Sequence, residues 1–199
     1  MSVDAVIIDS GGANLASLQF AFERLDARTS ISADPEEIRS AARIVLPGVG
    51  SAPAAMQRLR TSGLAELLPQ LQQPVLGICL GMQLLFEHSA EGDTDCLGIL
   101  PDSIARLAAS PGRPVPHMGW NRLTVHRADP LLEGIEPHEY VYFVHSFAAP
   151  VSDLTLASAQ YGTELAAVVR RNNFWGTQFH PERSAATGST VLANFLRIT

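Results

Sequence analysis

The chain has 199 residues, a formal net charge of −6 and only two cysteines. This length suffices for one domain whose core needs no disulfides, so we expect a single domain over 1–199 in a reducing cytoplasm. The acidic balance argues against nucleic-acid binding. No apolar run approaches the roughly 20 residues of a membrane span, and the N-terminus lacks a basic signal region, so we expect no membrane partner.

All 14 basic residues are arginine, because the sequence contains no lysine. This excludes a GxxxxGK[ST] phosphate loop, a lysine Schiff base and a kinase-type ATP lysine. The histidines and cysteines show no HExxH or CxxC spacing. We therefore expect no metal and no cofactor, and chemistry that depends on Cys, His, Ser or carboxylate side chains.

The N-terminal half alternates apolar runs with segments of helical periodicity. In chain order the pattern predicts a strand at 4–9, a helix at 14–25, a strand at 27–32, a short helix capped by Asp34 with Pro35 at its first position, a strand at 42–48, helices at 52–60 and 63–72, a strand at 74–78 and a helix at 80–89. Strands that alternate with helices are typical of a parallel sheet covered on both faces.

The C-terminal half is richer in short β runs separated by Pro, Gly and Asp. Strands are predicted at 121–127, 140–147, 154–161, 165–171 and 174–180, and a closing helix at 184–198. We expect these strands to be mostly antiparallel and joined to the same sheet system. The predicted fold class is α/β, with a central mostly parallel sheet flanked by helices and additional antiparallel strands in the C-terminal half. Functional loops of such a sheet lie at the carboxyl ends of its strands.

The segment GICLG places Cys79 between an apolar strand and a helix. Gly-x-Cys-x-Gly in this context is typical of a nucleophile elbow, a strained turn that exposes a nucleophile above the sheet. Cys96 has no such surroundings and is predicted to be a small buried side chain.

A thiolate nucleophile needs a base, and a histidine base needs an orienting group. In FHPER, His180 and Glu182 lie two residues apart, which puts both side chains on one face of an extended segment. PGVG (47–50) follows another strand, and its amides are candidates for half of an oxyanion hole. We assign that hole to Val49, Gly50 and the amide of Leu80.

PGVG, PVLGICLGMQ and WGTQFHPE, in this order, resemble the class I (triad) glutamine amidotransferases along nearly the whole chain. The resemblance implies that Cys79 attacks the glutamine carboxamide to give a glutamyl thioester. It also implies that His180 protonates the departing ammonia and then activates water, while Glu182 holds the imidazole. In that family, the counterparts of Gly50, Gln83 and Ser146 help to bind glutamine.

Three further segments, VPHMGWN (115–121), YFVHSF (142–147) and DSGGANLASL (9–18), resemble the glutaminase subunits of imidazole glycerol phosphate synthase. The resemblance implies a 1:1 complex with a (β/α)8-barrel cyclase, which uses the ammonia to make imidazole glycerol phosphate and AICAR in histidine biosynthesis. Candidate interface residues are Asn14, His117, Trp120 and Arg183.

The chain departs from this subfamily at three positions. Ser10 stands where a tyrosine is usual, and Ala13 replaces the second glycine of the opening motif. Arg183 stands where an interface lysine is usual, which keeps the charge but changes the hydrogen-bond geometry.

Three alternatives remain open at this point. The same glutaminase chemistry could serve another acceptor, such as an anthranilate or aminodeoxychorismate synthase. A stand-alone cysteine hydrolase, such as a γ-glutamyl peptidase, would act at full rate without a partner. A non-catalytic binding module would fail to react with a glutamine-like thiol alkylator.

Overall fold

A computed structural model describes residues 3–9 and 15–199, so Ser10, Ala13 and Asn14 lie outside the described residues. The strands are β1 (Ala5–Ile8), β2 (Thr29–Ser32), β3 (Ile44–Gly48), β4 (Val75–Cys79), β5 (Phe86–Ser89), β6 (Thr94–Asp95), β7 (Leu100–Arg106), β8 (His117–Arg122), β9 (Thr124–Val125), β10 (Tyr140–His145), β11 (Phe147–Ala148), β12 (Thr155–Tyr161), β13 (Thr163–Arg171) and β14 (Phe174–Thr177). The α-helices are α1 (Leu15–Glu23), α2 (Pro35–Ser40), α3 (Ala52–Thr61), α4 (Leu64–Leu67), α5 (Leu80–Gln83) and α6 (Ala185–Arg197).

An eight-stranded sheet, in the order β2-β1-β3-β4-β14-β13-β12-β9, organises the chain. The strands from β2 to β14 pair in parallel, and those from β14 to β9 pair antiparallel. This arrangement confirms the predicted α/β class with a mixed sheet. The carboxyl ends of β3, β4 and β14 are neighbours, which brings three sequence-distant loops to one edge.

The two faces of the sheet are covered by different helices. Ile7 of β1 packs in one hydrophobic cluster with side chains of α1 and α6, whereas Ile8 packs in a second cluster with α3 and α4. Successive side chains of a strand point to opposite faces, so these buried strands are apolar along their whole length. Within the described ranges, no helix is long and apolar enough to cross a membrane.

The predicted start of α2 is confirmed in detail. Asp34 is the N-cap, its Oδ1 accepts a hydrogen bond from the Glu36 amide at 2.9 Å, and Pro35 is the first helical residue. The proline fits there because the first helical amide needs no partner within the helix.

The helix predicted at 80–89 is wrong beyond Gln83, because α5 ends there and Phe86–Ser89 is the strand β5. The carbonyls of Leu84 and Phe86 accept hydrogen bonds from the amides of Leu97 and Gly98, so they cannot continue a helix. β5 then pairs with β6 and β7. A short apolar run suits a buried strand as well as a helix, and tertiary pairing decides between them here.

The expectation that the C-terminal strands all join one sheet system is correct only in part. β12, β13 and β14 extend the main sheet, but β8 and β10 form a separate two-stranded ribbon, and β11 joins β7, β5 and β6. The strand predicted from 121 in fact begins at His117. The single-domain interpretation stays a prediction, supported by a main sheet that draws strands from both halves of the chain.

Candidate active site

Cys79 occupies the turn between β4 and α5, with φ 55° and ψ −111°, which confirms the strained elbow predicted from GICLG. The turn packs closely against β3. A Cβ at Gly81 would lie 1.8 Å from the Leu46 carbonyl oxygen, and a Cβ at Gly77 would lie 2.8 Å from backbone atoms of Gly81. Glycine is therefore required on both sides of the cysteine, because any side chain would force the strand and the turn apart.

His180 and Glu182 follow β14, the strand beside β4, and their side chains form a buried pair. His180 Nδ1 lies 2.9 Å from Glu182 Oε1, and the two side chains are 9% and 4% exposed. The segment is not extended as expected. The Arg183 amide donates a hydrogen bond to the His180 carbonyl, and the Ser184 amide donates one to the Pro181 carbonyl. These bonds close a 3-10 turn, which brings Glu182 back to the imidazole.

The environment of His180 favours its charged form. Burial alone lowers the pKa, but hydrogen bonds and charge interactions with Cys79 and Glu182 outweigh burial and raise it to about 10. Because the Glu182 carboxylate accepts a hydrogen bond from His180 Nδ1, the other ring nitrogen, Nε2, is the atom that can exchange a proton. The arrangement can therefore stabilise a thiolate and deliver a proton to a leaving group.

A cavity of about 450 Å³ opens beside the cysteine and is lined by Gly48, Val49, Gly50, Cys79, Leu80, Gln83, Glu91, Pro116, Val144, His145, Ser146, Phe147, His180 and Arg183. It brings together the candidate nucleophile and base with every residue predicted for the oxyanion hole and for glutamine binding. The specific roles of these residues stay predictions.

The PGVG loop reaches the site because β3 and β4 are paired, with Gly48 opposite Cys79. Gly50 has φ +91°, a conformation that only glycine adopts without strain, and a Cβ there would meet no atom within 4 Å. The demand for glycine at 50 is thus conformational. At Gly48 it is steric, since a Cβ would lie 2.5 Å from the Gly81 amide nitrogen.

Gln83 takes part in a buried amide network that sequence reasoning missed. Its Nε2 donates to the Phe147 carbonyl at 2.7 Å and to Gln178 Oε1 at 2.9 Å, and Gln178 Nε2 lies 3.8 Å from Cys79 Sγ. Gln178 stands inside the motif WGTQFHPE, but only the three-dimensional contact reveals that its side chain faces the sulfur.

Glu91 was also missed, and no local signal marks it. It lies two residues after β5, just beyond the helix predicted at 80–89, and its Oε2 accepts a hydrogen bond from the amide of Ala52 at 2.8 Å. This contact joins positions 39 residues apart and leaves the carboxylate at the wall of the cavity.

The residues predicted to contact a partner have different surroundings. Trp120 is 52% exposed on β8, and its ring meets Tyr142 edge-on at 5.9 Å. The guanidinium carbon of Arg183 also lies over the Tyr142 ring, 4.9 Å from its centre. The His117 side chain is buried, at 3% exposure. The predicted interface role of His117 therefore concerns contact between strand β8 and a partner, because the buried side chain itself has little surface to offer.

No group of three or more His, Cys, Asp or Glu side chains in the described part of the chain could hold a metal ion. Both cysteines are free thiols.

Comparison with known proteins matches residues 6–198 to the family model "Glutamine amidotransferase class-I". The chain is 51% identical over 196 residues to the imidazole glycerol phosphate synthase subunit HisH of Xanthomonas campestris, covering 98% of both chains. It is also 51% identical to the HisH subunit of Idiomarina loihiensis over 99% of both chains. Among solved structures, a glutamine amidotransferase matches with a TM-score of 0.74 at 18% identity, over 96% of each chain. A glutamine amidotransferase from Thermotoga maritima matches with a TM-score of 0.63 at 16% identity, over 94% of this chain and 79% of that one.

Proposed function

The chain belongs to the class-I glutamine amidotransferase family, and from that premise we propose that it is the glutaminase subunit of an imidazole glycerol phosphate synthase, with Cys79, His180 and Glu182 as its catalytic residues. The observation that carries the proposal is the group of Cys79, His180 and Glu182: Cys79 and His180 line one cavity, and Glu182 is buried against the imidazole, 2.9 Å from its Nδ1. The HisH relatives, alike over nearly their whole length, support the choice of subfamily.

The proposed reaction begins when the Cys79 thiolate attacks the side-chain carbonyl carbon of glutamine. The carbon–nitrogen bond breaks as His180 gives its proton to the nitrogen, so ammonia leaves and a γ-glutamyl thioester remains. Water then attacks the thioester while His180 accepts its proton, which releases glutamate and restores the thiolate. Glu182 keeps the imidazole oriented and stabilises its charge in both steps.

Substrate recognition follows from the lining of the cavity. Backbone amides of Val49, Gly50 and Leu80 are proposed to stabilise the oxyanion of each tetrahedral intermediate. Gln83 and Ser146 are proposed to hold the glutamine. Glu91 is the one carboxylate among the described lining residues, and its charge complements the α-ammonium group of an amino acid.

The proposed partner is a (β/α)8-barrel cyclase in a 1:1 complex, which consumes the ammonia to form imidazole glycerol phosphate and AICAR. The exposed apolar side chains of the β8–β10 ribbon, Met118, Trp120 and Tyr140, suit a protein interface, because a patch of this kind is costly to leave in water. Arg183 and Asn14 are also proposed to contact the partner. A reducing cytoplasm is the proposed setting, since the nucleophile must remain a free thiol.

The test is glutamate release from glutamine by the complex with a cyclase, compared between wild type, Cys79→Ala and Cys96→Ala. We expect Cys79→Ala to abolish hydrolysis and Cys96→Ala to retain it. Turnover by Cys79→Ala would refute the nucleophile assignment. If glutamine supports another synthase but not the cyclase, the subfamily assignment is wrong. Full activity without any partner would instead indicate a stand-alone hydrolase.

A further inference from the structure

Two buried histidines, His117 of β8 and His145 of β10, form a hydrogen-bonded pair whose proton positions follow from their partners. His145 Nδ1 lies 2.8 Å from the Phe147 carbonyl oxygen, which can only accept, so Nδ1 carries the proton and Nε2 is an acceptor. His117 Nδ1 lies 3.0 Å from that Nε2 and must therefore donate to it. The lone pair left on His117 Nε2 faces the Asn121 amide nitrogen at 3.3 Å.

The orientation of Asn121 is itself fixed. Its Oδ1 accepts from the Arg122 amide at 2.8 Å, which directs its Nδ2 toward His117 and toward the Gln160 carbonyl at 3.0 Å. Asn121 therefore donates to His117, His117 to His145, and His145 to the Phe147 carbonyl, so the donors run from β8 toward the interior. In this hydrogen-bond arrangement each imidazole carries one proton and is neutral. Burial also favours the neutral forms, because it is the main cause that lowers the pKa of each histidine to about 4.

The inner end of this hydrogen-bond chain continues to Cys79. The Phe147 carbonyl that accepts from His145 also accepts from Gln83, and Gln83 in turn donates to Gln178, whose amide nitrogen faces Cys79 Sγ. His145 and Phe147 also line the cavity themselves. The position of the cavity wall and of the Gln83 amide thus depends on a hydrogen bond that originates at His117.

The outer end belongs to an exposed strand. Met118 and Trp120, which flank Gly119 on β8, are 66% and 52% exposed, whereas His117 is 3% exposed. The His117 ring is held between Tyr161 and Phe143, with ring centres 3.9 Å and 4.8 Å away. Because stacking confines the ring on both faces, its Nδ1–H has a defined direction, and β8 cannot shift without moving the donor to His145.

We propose that His117 and His145 are positioning residues of the glutaminase site, which use a neutral and directionally ordered hydrogen-bond chain to fix the glutamine-cavity wall relative to strand β8. This inference rests on the proposed glutaminase function. Neither residue exchanges a proton with the substrate. Their role is to hold Phe147, and through it Gln83, where glutamine binds.

The decisive comparison is His117→Asn against His117→Leu. Asparagine places an N–H at the position of the histidine Nδ1. Leucine has nearly the same shape as asparagine but has no hydrogen-bond donor. Both variants lose the ring stacking equally, so a difference between them isolates the hydrogen bond to His145. Glutamine hydrolysis is measured in the complex with the cyclase. Thermal unfolding and cyclase turnover with added ammonium salt verify folding and assembly.

We expect His117→Leu to raise the KM for glutamine about tenfold, as befits the loss of one buried hydrogen bond, while kcat changes less. His117→Asn should restore most of the wild-type KM. Equal KM values in the two variants, or an effect confined to kcat, would overturn the proposal.

A second measurement does not depend on enzyme activity. Nitrogen-15 NMR of the histidine-labelled chain should show His117 and His145 both protonated on Nδ1 at neutral pH. An Nε2–H tautomer or an imidazolium at either position would refute the ordered chain. If wild type instead shows the expected tautomers but never releases glutamate, the proposed function fails while the hydrogen-bond assignment survives.

Discussion

Replacement of Cys79 by alanine should change the titration of His180, because the sulfur is one of two groups that hold the imidazole in its charged form. The pKa of His180 is about 10, against an ordinary value of 6.5. Burial opposes this rise, whereas Cys79 and Glu182 each contribute one hydrogen bond and one charge interaction. If the two partners contribute equally, loss of the sulfur removes roughly 2–3 kcal/mol of imidazolium stabilisation, since one pH unit corresponds to about 1.4 kcal/mol.

We therefore expect the pKa of His180 to fall by about two pH units in Cys79→Ala. At pH 8.5 the wild-type imidazole should be protonated and that of the variant mostly neutral, because the surviving pair with Glu182 must still overcome burial. The assay is a pH titration of the His180 ring signals by NMR in the isolated chain. Cys96→Ala is the matched control, since Cys96 contributes nothing to the charge of His180.

Two outcomes would refute this reasoning. A wild-type His180 that titrates near 6.5 would show that burial is not outweighed. An unchanged high pKa in Cys79→Ala would show that Glu182 alone holds the proton, and the sulfur would then have no part in charging the base.

The remaining predictions concern the loop, the substrate and the partner. Gly50→Ala should lower glutamine turnover about fivefold or more, because φ +91° costs an alanine about 1 kcal/mol; Gly112→Ala, with φ +77° and similar open space, should leave turnover unchanged. Glu91→Gln should raise the KM for glutamine about tenfold with little change in kcat, measured by glutamate release. Trp120→Ala should weaken cyclase binding about tenfold or more in titration calorimetry, whereas Ile31→Ala on the edge strand β2 should not.

Much of the parallel sheet could be predicted from the sequence because its strands are buried on both faces. Ala5–Ile8 and Val75–Cys79 are continuous apolar runs followed by glycine or a helix signal. The run after Gln83 misled the prediction, since LLF suits a buried helix and a buried strand equally. Its conformation is decided by hydrogen bonds with residues 97–100, which no local pattern encodes.

The site divides in the same way. The positions of Cys79, His180 and Glu182 could be anticipated from the local motifs GICLG and HPE, although a 3-10 turn, and not the expected extended segment, brings Glu182 to His180. Gln178 and Glu91 could not, because each acts through a contact with a segment far away in sequence: Gln178 lies 3.8 Å from a sulfur 99 residues distant, and Glu91 binds the start of α3. Residue type alone does not distinguish such side chains from ordinary surface polar groups.

The proposed catalytic side chains and part of the cavity wall belong to different sheets. Cys79 and His180 follow neighbouring parallel strands of the main sheet, whereas Val144 and His145 belong to the β8–β10 ribbon. The two parts meet at the His180 amide, which donates to the Tyr142 carbonyl at 3.0 Å, and at the cysteine sulfur, 3.8 Å from the Val144 carbonyl. A protein bound to the ribbon could therefore alter this wall of the cavity while the main sheet keeps Cys79 and His180 in place. Under the proposed function, we therefore expect such a partner to act on glutamine binding more than on formation of the Cys79–His180 pair.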